Sequence, residues 1–246
     1  MSQEFDDKKN TSEFKKKPKA KISKTNICIY FLALICALLY YIYSEYDKDK
    51  NEQISRQILN NMHNEYEYTQ YEEDNEVVDN NKLLEEFHNT KEVKIGLTKQ
   101  INNSNYDIQT IAPDGTKYFS EAILKINSLG IEYPILSETS DALLKISLNK
   151  IWGPNPNEVG NYCIAGHNYK NGRMLGTLKK IEIGDMFTLE DLYGRKLSYK
   201  VYDKYLIEPD DKSCTSQKTD GKKEVTLITC QNVGTKRLVV KARAVA

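Results

Sequence analysis

The sequence is sparing with the residues that usually announce a chemistry. Its 246 residues hold five cysteines, and no two of them have Cys-X-X-Cys spacing. That excludes a disulfide framework and a cysteine zinc site. Histidine occurs three times. Two of these, His63 and His88, lie in a polar, Asn-rich region, which leaves His167 as the one histidine in the part that reads as folded. No EF-hand-like run of ligands is present. The acids Glu158, Glu208, Asp210 and Asp211 therefore read as solvated loop charge, and a calcium site has no clear motif behind it. No cofactor is expected. The formal net charge is zero, so composition gives no argument for a nucleic-acid partner, and none is expected.

Charge is balanced overall but segregated along the chain. Residues Phe14 to Lys24 carry six lysines and no acid, whereas Ser44 to Lys94 carry fourteen acids against six bases. Between these blocks Ile27 to Tyr43 form seventeen residues without a charge. As a helix this run is about 26 Å long, enough to cross a bilayer core with help from its flanks. Tyr40, Tyr41 and Tyr43 then form an aromatic belt at one interface. A basic start before an apolar run also describes a cleaved signal peptide. The following Ser44-Glu45-Tyr46-Asp47 has no small-residue cleavage pattern, which favours an uncleaved anchor. The lysines predict an N-terminus inside the cell, with the rest outside.

The chain thus reads as a basic tail over 1–25, a membrane anchor over 26–43, a polar stalk over 44–105 and a folded domain over 106–246. The stalk is too poor in apolar residues to form a core of its own. Short helices are predicted within it at Gln53 to Met62 and Lys82 to His88, and it has no internal repeat. From Tyr106 onward short β-like runs alternate with turn residues. Strands are predicted at Tyr106–Ile111, Ala122–Ile126, Ile131–Leu136, Tyr162–Ala165, Met186–Glu190, Lys196–Leu206, Val225–Thr229 and Arg237–Ala242. Short helices are predicted at Asp141–Leu148 and Met174–Ile181. Eight strands in so short a span indicate an all-β barrel or sandwich.

Two ends of these runs carry reactive groups. Val225 to Thr229 delivers Cys230 where the apolar run stops, and a turn marked by Asn232 and Gly234 leads to a strand opening with Arg237. If Leu238 and Val240 face the core, Arg237 lies on the opposite face. Tyr162 to Ala165 delivers Gly166 and His167. A cysteine with one histidine remote in sequence is the pattern of a thiol nucleophile. The other cysteines differ: Cys28 and Cys36 lie in the apolar run, Cys163 sits inside a strand, and Cys214 lies in a polar loop.

These motifs resemble those of the sortases, membrane-anchored cysteine transpeptidases of Gram-positive bacteria. The family signature Thr-Leu-X-Thr-Cys is present as Thr226-Leu227-Ile228-Thr229-Cys230. Gly166-His167 and Arg237 match the family's upstream histidine and downstream strand arginine. The similarity runs from about Lys117 to Ala246. It implies an eight-stranded sortase-type β-barrel with short helices, preceded by one transmembrane helix. It also implies Cys230 as nucleophile, His167 as acid/base and Arg237 as stabiliser of the oxyanion, with Thr229 and the loop from Glu208 to Glu224 bordering the peptide groove; the backbone N–H of Gln231 is a candidate second donor to the substrate carbonyl. The implied partners are secreted surface proteins with an LPXTG-like signal, cleaved between Thr and Gly, and an amine of the cell-wall precursor. About seventeen residues separate Ile207 from Val225, short beside the helical insertion of class B, and no Asp-Pro-aromatic lid triplet is present. The pattern leans towards class A or a class D-like enzyme. Three alternatives stay open: a thiol protease or hydrolase that releases its acyl group to water, an anchored binding module whose cysteine only packs, and an inactive homologue. Arg243, on the same strand, is an alternative to Arg237.

Overall fold

The computed structural model describes residues 24–74, 108–112, 115–231 and 234–245. The predicted helix at Lys82–His88 and the turn residue Asn232 lie outside them. The chain divides into two compact units, Met1–Tyr46 and Asp47–Ala246. Both are entered by one helix, α1 (Lys24–Asp74), whose 51 residues contain neither glycine nor proline. Nothing in that stretch interrupts the i→i−4 ladder.

In the first unit the apolar side chains of α1 are exposed, among them Ile29, Phe31, Leu34 and Leu39. An 18-residue window of mean hydropathy 2.1, with none of it buried, makes this segment long and apolar enough to cross a membrane.

In the second unit the strands are β1 (Ile108–Ile111), β2 (Lys117–Ile126), β3 (Ile131–Leu136), β4 (Leu148–Trp152), β5 (Gly160–Ala165), β6 (Met186–Asp191), β7 (Lys196–Ile207), β8 (Lys223–Gln231) and β9 (Lys236–Ala244), with α2 (Asp141–Ile146) before β4. The order β2-β3-β4-β5-β8-β9-β7-β6 returns to β2 through a β2–β6 pairing, which closes an eight-stranded barrel. Strand β1 pairs with the start of β2 and stands outside the ring. Two pairs are parallel, β3–β4 and β5–β8. Inward-facing Leu124, Ile135, Ile164, Leu189, Leu227 and Val240 belong to the interior cluster, each fully buried.

The barrel agrees with the expectation of eight strands, but its membership differs. Strand β4 replaces β1 in the ring. Its sequence, Leu-Asn-Lys-Ile-Trp, has no clean alternation, and it starts where the helix was expected to continue. That helix stops at Ile146, capped at its start by the Ser140 hydroxyl accepting from the Leu143 N–H. The helix expected at Met174–Ile181 shrinks to a 3-10 turn at Leu178–Lys180. Met174 has φ 51°, in the left-handed region, and Gly176 follows, so regular helix cannot start there.

The described part of the expected stalk is also different. Helix runs through Asp74, and Ile54, Ile58, Leu59 and Met62 form a buried stripe at helical spacing. They pack with Ile108, Tyr118, Ile123, Leu136 and Ile146 in a second core on the outside of the barrel. The Ser55 hydroxyl donates to the Ser147 hydroxyl at 3.1 Å, and Ser147 donates to the Pro134 carbonyl at 2.6 Å. Arg56 donates to the Glu132 carbonyl at 2.9 Å and lies over the Tyr133 ring. The segment is too polar to form a core alone, but the barrel wall supplies the other half.

Candidate active site

The positions of His167, Cys230 and Arg237 follow from strand register. Strands β5 and β8 run parallel with Gly160 beside Lys223 and Ala165 beside Ile228. The pairing continues one step further, because the Gly166 N–H donates to the Ile228 carbonyl at 3.1 Å. His167 and Cys230 are thus each two residues beyond a paired partner, on neighbouring parallel strands that end together. Strands β8 and β9 are antiparallel, and Cys230 is paired with Arg237. Directly opposed residues of such a ladder share a face of the sheet. The three groups expected from the sequence are therefore gathered at one rim.

That rim faces outward. Val225 and Leu227 point into the barrel core, as do Leu238 and Val240 across from them. Alternation puts Ile228 and Cys230 on the outer face, opposite Val239 and Arg237. Ile228 and Val239 there pack with Ile207, Tyr205 and Cys214. Cys230 is half-buried, and so are His167 and Arg237.

Burial, followed by the Lys145 ammonium of α2, holds the His167 imidazole below its ordinary value near 6.5, while Asp141 of the same helix pulls the other way. At neutral pH the ring is therefore unprotonated and able to accept a proton. The Tyr169 ring lies 5.2 Å from it, centroid to centroid. Arg237 donates through Nη1 to the carbonyls of Gly234, at 3.0 Å, and Lys236, at 3.4 Å. These bonds tie the guanidinium to the turn beside Cys230 and leave Nε and Nη2 out of them.

The remaining thiols are of another kind. Burial pushes the Cys163 thiol up to about 12, and it raises Cys214 as well. Both are buried, whereas Cys28 and Cys36 lie exposed on the apolar part of α1.

Thr229 does not border a groove. It is 2% exposed, and its hydroxyl donates to the Gly166 carbonyl at 2.7 Å. It shares the parity of Leu227 along β8, so it faces inward and joins the two strand ends. Gln231 is half-buried, and its side-chain carbonyl accepts from Asn168 Nδ2 at 3.3 Å. Asn168 is the residue the sequence did not bring forward. Its Nδ2 also donates to the Cys230 carbonyl at 2.7 Å, so it bridges the histidine loop to the cysteine strand. An asparagine after a strand is ordinary turn chemistry, and only the parallel register reveals its partner.

The loop between β7 and β8 is fastened to the barrel wall. The Gln217 amide accepts from the Asn161 N–H and donates to the Asn161 carbonyl, both at 2.9 Å. Asn161 Nδ2 donates to the carbonyls of Cys214 and Ser216. Among the described residues no group of three or more His, Cys, Asp or Glu is placed to hold a metal ion. Glu158 is engaged by Asn155, and Asp211 by the Ser213 N–H.

A closed barrel with a thiol, an imidazole and a guanidinium at one rim defines a candidate thiol enzyme. Residues 124–245 match the sequence model of the Sortase domain family. The barrel belongs to the sortases. Sortase A of Bacillus anthracis is 33% identical over 125 residues, covering 48% of this chain and 56% of that protein. The chain thus matches little more than half the length of that relative. Among solved structures, a sortase D5 transpeptidase from Clostridium perfringens superposes with a TM-score of 0.55 at 22% identity, covering 79% of this chain and 100% of that one. Sortase C-1 from Actinomyces oris gives 0.47 at 26% identity, covering 51% and 73%.

Proposed function

We propose that the protein is a membrane-anchored cysteine transpeptidase. It cleaves an LPXTG-like signal of secreted surface proteins between Thr and Gly and joins the acyl part to an amine of the cell-wall precursor. The observation that carries this reading is the register of β5, β8 and β9, which brings His167, Cys230 and Arg237 to one rim.

The chemistry follows from the three groups. A thiol with an ordinary pKa is only a few per cent thiolate at neutral pH, so it needs a neighbouring base. Neutral His167 takes the Cys230 proton as sulfur attacks the Thr carbonyl carbon and the carbonyl becomes an oxyanion. Nε and Nη2 of Arg237 receive the developing charge, in a fork whose geometry suits oxygen. The C–N bond then breaks, and the imidazolium returns the proton to the leaving Gly amine, which leaves a thioester on Cys230. An incoming amine gives a proton to His167 and attacks the thioester carbonyl. The C–S bond breaks and the thiol is restored. Asn168 holds the two strand ends in register through these steps. The backbone N–H of Gln231 serves as a second donor to the oxyanion, and the class A or class D-like assignment stands with this reading.

The anchor places the basic tail inside the cell and the barrel outside, where its substrates pass. The test is to incubate the full chain in detergent with LPXTG-like peptides and follow it by mass spectrometry. The expected result is an acyl adduct on Cys230 that resolves to a peptide–amine product when glycine or diaminopimelate is added. Release to water alone in the presence of those amines would mark a hydrolase. Full cleavage by Cys230→Ala would end the proposal.

A further inference from the structure

The loop from His167 to Gly176 is closed on itself and fixed to α1 through Arg173. Its base is held by the Leu175 N–H donating to the His167 carbonyl at 3.0 Å and by a bridge between Asn168 and Met174. Met174 and Leu175 are buried in the barrel core. Arg173, at the tip, pairs through Nη2 with Asp49 and through Nε with Glu52 at 3.9 Å, both on α1. Glu52 is itself fixed, since Tyr133 donates to both of its oxygens at 2.9 and 3.0 Å and Arg56 Nε donates to it at 2.9 Å. Between this contact and the imidazole lies Tyr169, which touches the His167 ring and feels the charges of Lys48, Arg173, Asp47 and Glu52.

We propose that Asp49 and Glu52 of α1 clamp Arg173 and thereby hold the loop that presents His167 to Cys230, so that Arg173 is a positioning residue for the thiol chemistry. The kinetic part of this claim rests on the transpeptidase reading; the structural part does not. An ion pair as open as Arg173–Asp49 adds little to global stability. Its effect belongs instead to the placement of one ring, and small misplacements of a reacting group cost rate steeply.

The charged groups that act on His167 are Lys145 and Asp141 on α2, and Cys230 on β8 and Arg237 on β9 share its rim. Across Tyr169 stand Asp47, Lys48, Asp49 and Glu52 on α1, with Arg173 on the loop itself. Releasing the clamp admits water to the imidazole, so its titration should move up towards the ordinary value.

The experiment uses the full chain in detergent with Arg173→Ala, Arg173→Lys and Asp49→Ala. Two readouts apply: peptide transpeptidation kinetics, and the titration of His167 by NMR of 13C-labelled histidine, with the His63 and His88 signals assigned by substitution. The expected result for Arg173→Ala and Asp49→Ala is a kcat lower by about tenfold, a peptide KM within about twofold, and a raised His167 titration. Arg173→Lys should recover part of both. Asp49 is 61% exposed in its side chain, so its variant keeps the test open if Arg173→Ala fails to fold. An unchanged kcat with an unchanged titration overturns the proposal, as does a lowered melting midpoint with neither of these altered. If the wild type turns over no peptide, the transpeptidase reading fails. The titration then decides the clamp alone: a rise supports it and no change overturns it.

Discussion

Cys230, His167 and Arg237 ask for different substitutions. Cys230→Ala removes the atom proposed to carry the acyl group, so both cleavage and transfer should vanish in the peptide assay. Arg237→Lys keeps the charge but replaces a fork by a point; a loss of about 100-fold in kcat is expected, at the lower end of the scale for losing one oxyanion donor. A rate within twofold of wild type would exclude Arg237 from that role and turn attention to Arg243. His167 gives a pH test with a definite sign. Burial and Lys145 lower its pKa, so the acid limb of kcat/KM should lie below the ordinary imidazole value near 6.5, and Lys145→Gln should move it upward. The same shift affects stability. As pH falls below 6.5 the unfolded chain takes up this proton before the folded one, so the fold loses stability from that pH down to the folded value. What the sequence showed at this scale was residue type and order. It misplaced Thr229 because the motif was read as a string, although its spacing from Val225 and Leu227 already assigns it to the inward face. It passed over Asn168 because the carbonyl that asparagine serves lies 62 positions away.

Single elements were legible where the pattern had one period and illegible where a second element supplied the partner surface. Strands β5, β8 and β9 show β-branched or alternating runs and were found within a few residues. Strand β4 pairs over two residues with β3 and follows the capped end of α2 directly, and its polar second and third residues hid it. Helix α1 beyond Asp47 looked too polar to fold, which holds for the segment in isolation. Its stripe of Ile54, Ile58, Leu59 and Met62 becomes a core only against β1, β2, β3 and α2. Ile58 is fully buried, so Ile58→Ala should cost about 2–5 kcal/mol of unfolding free energy, measurable by denaturant melts of the full chain. A truncated protein starting at Asn81 removes the whole stripe and exposes its partners on the barrel wall. Such a protein should melt lower and bind an apolar dye, whereas one starting at Asp47 should do neither. Equal melting of the two would show that the helix adds nothing to the barrel. The histidine loop makes the same point on a smaller scale. A Cβ at Gly176 would stand 2.2 Å from the Tyr169 carbonyl oxygen, a backbone atom that moves only with the loop. Gly176→Ala should therefore reduce turnover even in protein that remains folded.

Across the whole molecule the arrangement of charge and thiols sets up one measurement of orientation and chemistry together. Six lysines between Phe14 and Lys24 lead into the apolar run, and a cationic flank is held on the cytoplasmic side, so the chain after Tyr43 should lie outside. Of the three cysteines beyond that point, Cys163 and Cys214 are buried with thiols pushed up by burial, and a protonated, covered thiol reacts slowly. Cys230 is half-exposed and stands beside a neutral imidazole and a guanidinium. A membrane-impermeant alkylating reagent added to intact cells should therefore label this protein once, at Cys230, and Cys230→Ala should abolish the label. Labelling only after lysis would place the barrel inside and reverse the topology. Labelling of intact cells at Cys214 or Cys163 with Cys230 spared would keep the topology and remove the thiol chemistry, leaving an anchored domain whose cysteine packs. The two propositions can thus fail separately, because the expected side of the membrane rests on the lysine flank and the expected reactive sulfur on the strand register.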